Sequence, residues 1–209
     1  MNYIARCRIP DVDAELTRRR LLELGLALPP LAAVLAEASD ALALPLEPTA
    51  ACGDGDEPTE PQTEGPFFTP LSPRRRSLLT PTMPGTRLTL TGYVLTSRCR
   101  PIRGALLDFW QADSRGVYDN RGYRFRGHQL TDTAGRYRLD TVVPGLYAGR
   151  TRHIHVKAQA QGRPALTTQL YFPGVARNWT DPIFASSLLV RWRRVGNRRV
   201  ARFDFVLAQ

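Results

Sequence analysis

Apolar and polar residues alternate with a period of two through much of the second half of the chain. The clearest run starts at Arg87, where Leu88, Leu90 and Val94 alternate with threonine and tyrosine. Because side chains two positions apart on a strand lie on the same face, this run predicts a β-strand with two usable faces. Residues 124–130 lack such alternation and are predicted to be irregular.

Turn signals separate the apolar segments at short intervals. Further strands are predicted at 105–110, 136–139 and 167–172, and Gly196-Asn197 joins the last two segments as a two-residue hairpin turn. Seventeen prolines and sixteen glycines favour a turn-rich architecture over a helical bundle. We therefore predict an all-β fold, a β-sandwich of mostly antiparallel strands with long loops. No helix is predicted after residue 40.

The N-terminal residues 1–38 have the features of an export signal. Three arginines, Arg18 to Arg20, precede a mostly apolar run from Leu24 to Ala36, and small residues follow in an A-x-A pattern. This arrangement is similar to a twin-arginine signal and predicts export to the periplasm. The alternative is an amphipathic N-terminal helix over residues 14–28 of a cytoplasmic protein. Since a bilayer span takes about 20 apolar residues, no stable membrane insertion is expected.

The charge distribution divides the chain into an acidic first part and a basic second part. Residues 39–62 are predicted to be an acidic, Pro-rich linker, which leaves 63–209 as the functional domain. Residues 65–209 contain 24 basic and 7 acidic side chains, so this part could attract an anionic substrate or a polyanion. The arginines are spread over several segments and no nucleic-acid recognition motif is present. No nucleic-acid partner is predicted.

Three cysteines bear on the cellular compartment. If the N-terminal segment that holds Cys7 is removed, Cys52 and Cys99 remain as a candidate pair. A disulfide between them would suit an oxidising compartment. The sequence has no C-x-x-C motif, so no structural zinc site is predicted.

Two of the three histidines, His153 and His155, stand two positions apart. On a strand both imidazoles would project from the same face, and the Pro144-Gly145 turn places Tyr147 six residues before the first of them. Imidazole with tyrosinate, a hard anionic donor, suits Fe(III) better than zinc. The spacing does not select a fourth ligand. The alternative is an exposed histidine pair beside a core tyrosine.

Several segments together resemble a known enzyme family. They occur in order between Thr63 and Phe172 and read TEGPFF, GALLDFWQADSRGVYD, RGHQLTDTAGRYRL, PGLYAGRTRHIHVK and TTQLYF. This set is similar to the intradiol ring-cleavage dioxygenases of catechol, hydroxyquinol and protocatechuate, which bind non-haem ferric iron on a β-sandwich. The arginine-rich N-terminus and a cysteine before TEGP resemble the short, exported, single-domain branch of that family.

The resemblance implies roles for six residues. The iron ligands would be Tyr118, Tyr147, His153 and His155, of which Tyr147 would leave the iron when substrate binds. Arg150 would face the substrate ring and Gln169 would lie near the oxygen-reaction pocket. The implied reaction inserts both atoms of O2 into a catechol-type substrate and yields a cis,cis-muconate-type product. The alternative is an iron-free β-sandwich binding module, and the oligomeric state is left open.

Other residues compete for these roles on composition alone. Tyr123 and Tyr137 compete with Tyr118, and Arg152 competes with Arg150. His128 replaces the usual apolar residue in the R-G-x-Q segment and is interpreted as a rim or surface residue. Arg121, Arg124 and Arg126 either favour a carboxylated catechol or are surface charge.

Overall fold

The alternating segments form two β-sheets packed face to face, which confirms the predicted sandwich. The computed structural model describes residues 45–49 and 57–208, all within one compact unit, Pro45–Gln209. The strands are β1 (Arg87–Thr96), β2 (Leu106–Trp110), β3 (Arg126–Leu130), β4 (Arg136–Val142), β5 (His153–Gln159), β6 (Leu166–Tyr171), β7 (Arg191–Val195), β8 (Arg198–Arg202) and β9 (Phe205–Leu207). Two short 3₁₀ helices, Ala176–Trp179 and Ser186–Leu188, lie between β6 and β7.

The first sheet has the order β4-β1-β8-β7, with β9 also paired to β1, and the second has the order β3-β2-β5-β6. Pairing is antiparallel except where β1 meets β8 and β9. The inner faces form the core, where Leu90, Leu139, Phe109, Ile154 and Val156 are fully buried. Burial of each such side chain stabilises the fold by about 2 kcal/mol.

The outer face of the second sheet positions the candidate site. Ile154 and Val156 point into the core, so the alternation of β5 turns His153 and His155 to the outer face. They are nevertheless only 4% and 3% exposed. A second apolar cluster, built around Trp110 and Tyr118 with residues from three loops, covers this face. The site is therefore enclosed between a sheet and its covering loops.

The prediction that residues 124–130 are irregular is wrong for 126–130, whereas Arg124 and Phe125 form a turn. Arg126–Leu130 is β3, which pairs antiparallel with β2 so that Trp110 faces Arg126 and Asp108 faces His128. Neither face of β3 carries a run of apolar residues, because Arg126 and His128 lie on the outer face and Gly127 and Gln129 on the inner face. The hydrophobic pattern that marks a strand with one solvated face is consequently absent.

The predicted export signal or N-terminal helix at 1–38 lies outside the described residues, as do most of the predicted linker, Cys7 and Cys52. Part of that linker is described, and the Thr59 amide donates to the Val206 carbonyl while the Gln62 amide donates to Thr167. Cys99 is disulfide-bonded. In the described part of the chain, no helix has the length and apolar character to cross a membrane.

Candidate metal centre

The two histidines of β5 are held as neutral, oriented imidazoles. The His153 Nδ1 lies 2.6 Å from the Thr151 carbonyl oxygen, so Nδ1 donates and Nε2 carries the free lone pair. Burial lowers the pKa of His153 to about 4 and holds the pKa of His155 well below 6.5. The His155 Nδ1 is buried without a hydrogen-bond partner among the described residues. Both rings are thus deprotonated at neutral pH, the state that a metal ligand requires.

Two loops bring the predicted tyrosines to the same place. Tyr118 follows β2, Tyr147 follows β4, and the loops cross where Gly116 meets Gly145. A Cβ on Gly116 would lie 1.8 Å from the Leu146 carbonyl oxygen. Both glycine amides donate to the carbonyl of Asp113. Each tyrosine stands two residues after its glycine, so the glycine crossing sets the distance between the phenols.

The four predicted ligands form one cluster. The Tyr118 hydroxyl lies 3.0 Å from the His153 Nε2, and the ring centroids of His153 and His155 are 4.7 Å apart. The Tyr118 ring is 5.4 Å from Tyr147 and 6.2 Å from His155. Among the described residues no three His, Cys, Asp or Glu side chains form a metal cluster, so this site depends on its phenols.

An aromatic cover encloses the cluster. Phe67 stacks on Tyr118 at 4.4 Å and meets Tyr147 edge-on at 5.1 Å. Trp110 stacks on His155 at 4.8 Å with only 7° between the ring planes. Burial raises the pKa of the Tyr118 phenol above 10. In the metal-free protein Tyr118 is therefore a neutral phenol, and a bound trivalent cation would displace its proton.

The donor set fits a ferric ion. Two neutral imidazoles and two phenols converge in an enclosed, aromatic-lined site, and each phenol can become a hard anionic ligand on deprotonation. If both phenols were deprotonated, the two negative charges in this enclosed site would require a compensating cation, which a ferric ion would supply. The cluster therefore has the chemistry of a metal centre rather than that of a solvated surface.

Arg150 and Gln169 lie next to this cluster and contact each other. The Arg150 Nη2 donates to the Gln169 Oε1 at 2.7 Å, and Gln169 faces His155 across β5 and β6. Burial is the main cause of the lowered pKa of His153, and the positive charge of Arg150 lowers that pKa further. Its guanidinium is thus placed to act on an anion in the same site.

Asp181 lies beside the candidate site and is a residue that the sequence analysis missed. Its carboxylate accepts from the Arg150 Nε at 3.0 and 2.8 Å and from the Thr151 amide at 2.8 Å. It lies just after the 3₁₀ helix Ala176–Trp179. A single aspartate in a loop carries no local sequence signal. Only the contacts made in the folded protein connect Asp181 with Arg150 and Thr151. Trp110, to which the sequence analysis assigned no role in the site, also stacks directly on His155, a candidate ligand.

The competing tyrosines and arginine lie elsewhere. Tyr137 is in the core, where its hydroxyl donates to the Phe203 carbonyl, and Tyr123 donates to Pro70 at the surface. Arg152 donates to the Pro144 carbonyl. His128 lies on β3, and its Nδ1 is hydrogen-bonded to the Ser72 carbonyl.

The three arginines near the tyrosine loop differ in exposure. Arg121 and Arg124 are exposed, while Arg126 is 1% exposed and donates to the Asp119 carbonyl beside Tyr118. Burial lowers the pKa of Arg126. Arg126 is thus a buried support of the Tyr118 loop, which leaves Arg121 and Arg124 as the surface charges.

Comparisons with known proteins agree with this geometry. A family model described as Dioxygenase matches residues 63–209, more than half of the chain. The chain is 35% identical to the protocatechuate 3,4-dioxygenase beta chain of Burkholderia cepacia over 118 residues, which are 48% of this chain and 50% of that protein. It is 26% identical to a chlorocatechol 1,2-dioxygenase of Pseudomonas sp. strain P51 over 71% of this chain and 70% of that protein. The chain thus spans half of the first relative and somewhat more of the second.

Solved structures give the same result. The dioxygenase domain of a dioxygenase carbohydrate-binding protein fusion from the cellulolytic bacterium Streptomyces sp. SirexAA-E is 58% identical, with a TM-score of 0.72 over 73% of this chain and 99% of that chain. The 3-chlorocatechol 1,2-dioxygenase of Rhodococcus opacus 1CP is 26% identical, with a TM-score of 0.69 over 85% of this chain and 77% of that chain. This chain belongs to the intradiol ring-cleavage dioxygenase family.

Proposed function

We propose that the protein is a non-haem Fe(III) dioxygenase that cleaves a catechol-type ring between its two hydroxylated carbons. It takes the substrate and O2 to a cis,cis-muconate-type product. The observation that carries this proposal is the convergence of two phenols and two imidazoles, with the Tyr118 hydroxyl 3.0 Å from the His153 Nε2. The family's relatives include proteins named for catechol, chlorocatechol and protocatechuate cleavage, which supports the substrate class.

The iron would be held by Tyr118, Tyr147, His153 and His155. When bound, ferric iron supplies a Lewis acid for both catechol oxygens and a redox partner for the reaction with O2. The protein's part is to orient the ring, to accept its protons and to exclude water. No carboxylate is needed in this donor set, which distinguishes it from the common divalent sites.

Tyr147 is the ligand best placed to accept a substrate proton. It is half-buried, whereas Tyr118 is 7% exposed and its hydroxyl is hydrogen-bonded to His153. The turn that carries Tyr147 is tied by the Arg150 amide, which donates to the Tyr147 carbonyl at 2.6 Å. The phenolate oxygen of Tyr147 would take the proton of a substrate hydroxyl, and Tyr118 would remain in place.

Arg150 would stabilise negative charge that develops on the substrate ring. The guanidinium is fixed by Asp181 and Gln169 before substrate arrives, and fixed charges of this kind need no reorganisation during the reaction. Phe67 and Trp110 enclose the same space and reduce access of water. Low local polarity strengthens the interaction between the guanidinium and an anionic ring.

The proposal is tested by loading purified protein with ferric iron and measuring oxygen uptake on catechol, protocatechuate and hydroxyquinol. We expect a red-brown protein with a tyrosinate-to-iron absorption band, and consumption of one O2 for each ring-opened diacid formed. Mass spectrometry after reaction with labelled O2 should find both labelled atoms in the product. A colourless protein after ferric loading, or no oxygen uptake with any member of the panel, would rule the function out.

The glycine crossing provides a test of how the metal centre is assembled. Gly116→Ala would force a methyl group into the Leu146 carbonyl, separate the two tyrosine loops and lower ferric-ion affinity by at least about tenfold. Gly162→Ala is the matched control, because Gly162 also has a positive φ of 70° but has no atom within 4 Å of an added Cβ. Both variants lose about 1–2 kcal/mol of stability from the left-handed backbone.

Iron affinity is measured by competition with a ferric chelator, alongside thermal unfolding of the metal-free proteins. Equal iron affinity in the Gly116 and Gly162 variants would show that the crossing does not set the position of the tyrosines.

A further inference from the structure

Asp181 is enclosed beside the candidate site but contacts none of the four candidate ligands. Its side chain is 0% exposed, and both oxygens accept from the Arg150 Nε. The amides of Thr151 and Ile183 complete its hydrogen bonds at 2.8 and 3.1 Å. Burial alone would raise the pKa of Asp181, but the Thr151 amide and Arg150 bring it below its usual value. The carboxylate is therefore ionised and fully bonded.

The carboxylate determines which edge of the Arg150 guanidinium is free. Nε is bonded to Asp181, and Nη2 donates to the Gln169 Oε1 at 2.7 Å and to the Tyr171 hydroxyl at 3.3 Å. Among the described residues Nη1 has no hydrogen-bond partner. Because a guanidinium is planar, bonds at Nε and Nη2 fix the direction of Nη1 as well.

The same carboxylate also supports the histidine strand. Asp181 accepts from the Thr151 amide, and the Thr151 carbonyl accepts from the Nδ1 of His153. One buried group thus holds the residue that faces the substrate and the peptide that orients a candidate ligand. A side chain that only stabilised its own loop would not need to contact both the Arg150 guanidinium and the Thr151 amide.

We propose that Asp181 is the positioning residue for Arg150, holding its guanidinium with the Nη1 edge toward the ring of the bound substrate. This inference rests on the proposed function. Misplacement of such a group by about 1 Å lowers a rate by about 10²-fold. Since Arg150 would act on charge that develops during the reaction, the loss should fall on kcat more than on KM.

Asp181→Asn keeps the volume, and its Oδ1 can still accept from the Thr151 amide, but its Nδ2 is a second donor facing the Arg150 Nε. We expect kcat to fall 10- to 100-fold, KM to change less than about threefold, and the iron content and tyrosinate band to stay as in the wild type. Anaerobic titration of the ferric protein with catechol should still show binding. A crystal structure of the iron-free variant should show Arg150 no longer within hydrogen-bond distance of Gln169.

Asp204→Asn is the matched control. Asp204 is 1% exposed, accepts from the Arg202 Nε with both oxygens, and accepts from two backbone amides, those of Thr49 and Tyr93. It lies between β8 and β9 of the other sheet, so its replacement should lower stability by a similar amount and leave kcat unchanged. If both variants lose kcat equally, or if Asp181→Asn keeps kcat within threefold of the wild type, the proposal is wrong.

Arg150→Lys tests the same contact if Asp181→Asn does not fold. A lysine keeps the charge but cannot bond Asp181 and Gln169 together, so kcat should fall by at least tenfold with iron retained. A fully active Arg150→Lys enzyme would overturn the proposal. Failure of the proposed function itself would be visible separately, as absence of activity in the wild type.

Discussion

Tyr118→Phe will lower kcat/KM by at least about 10³-fold and weaken the visible absorption of the ferric protein, because Tyr147 would remain as the single tyrosinate ligand. The change deletes an anionic donor whose hydroxyl lies 3.0 Å from the His153 Nε2, while the ring can still stack on Phe67. Loss of a charged ligand from an enclosed metal site removes several kcal/mol of stabilisation, and a 10³-fold effect corresponds to about 4 kcal/mol. Steady-state oxygen uptake and the absorption spectrum after ferric loading provide the measurements.

Tyr137→Phe separates the loss of a ligand from the loss of a buried hydroxyl. Tyr137 is 4% exposed and donates to the Phe203 carbonyl at 2.8 Å in the core, away from the cluster. Its replacement should cost about 1 kcal/mol of stability and leave the spectrum and kcat unchanged. Tyr118→Phe with wild-type colour and activity would show that Tyr118 is not one of the two anionic ligands.

The fold and the orientation of the histidines were predictable because both depend on a local period. The alternation around Ile154 and Val156 determines which face His153 and His155 occupy, and the structure agrees. Gly196-Asn197 likewise joins β7 and β8 as the predicted two-residue hairpin. In each case the information lies within a few consecutive residues.

The supports of the site were not predictable from local pattern. β3 was missed because its outer face lies under loops, so the buried Arg126 occupies a position where a hydrophobic residue would be expected. Asp181 was missed because its partners Arg150 and Thr151 are 31 and 30 residues away in the chain. Tyr118 and Tyr147 could be paired only through motif resemblance, since their proximity depends on two loops crossing at glycines. Contacts of this kind arise from the tertiary fold.

Acidification will destabilise the metal-free protein through its buried histidines, and this is the largest expected effect on stability. Burial lowers the pKa of His153 to about 4. Burial also lowers the pKa of His155, and the adjacent His153 and Arg150 lower it further. Both rings titrate near 6.5 in the unfolded chain. Between pH 6.5 and pH 4 the unfolded state therefore binds protons that the folded state does not, so stability falls as the pH falls.

The free energy of unfolding should fall by about 1.4 kcal/mol per pH unit for each histidine within this window. His153 alone accounts for about 3 kcal/mol by pH 4. Urea unfolding of metal-free protein at intervals from pH 7.5 to 4.5 measures it. Carboxylates with a lowered pKa, such as Asp140 and Asp181, lose their contribution only below this window, while the raised pKa of Asp108 acts in the opposite direction.

Removal of the two ligands isolates their contribution to the acid sensitivity. A variant with His153→Gln and His155→Gln has lower stability at neutral pH, but its stability should vary little between pH 6.5 and 4.5 because no buried imidazole remains to be protonated. His128→Gln is the control for loss of an imidazole outside the cluster, since His128 is half-buried and bonds the Ser72 carbonyl. A flat wild-type profile, or an equally steep profile in the double variant, would mean that the imidazoles are not held neutral by burial. The same desolvation that makes the folded state sensitive to acid keeps both nitrogen donors available for a metal at neutral pH.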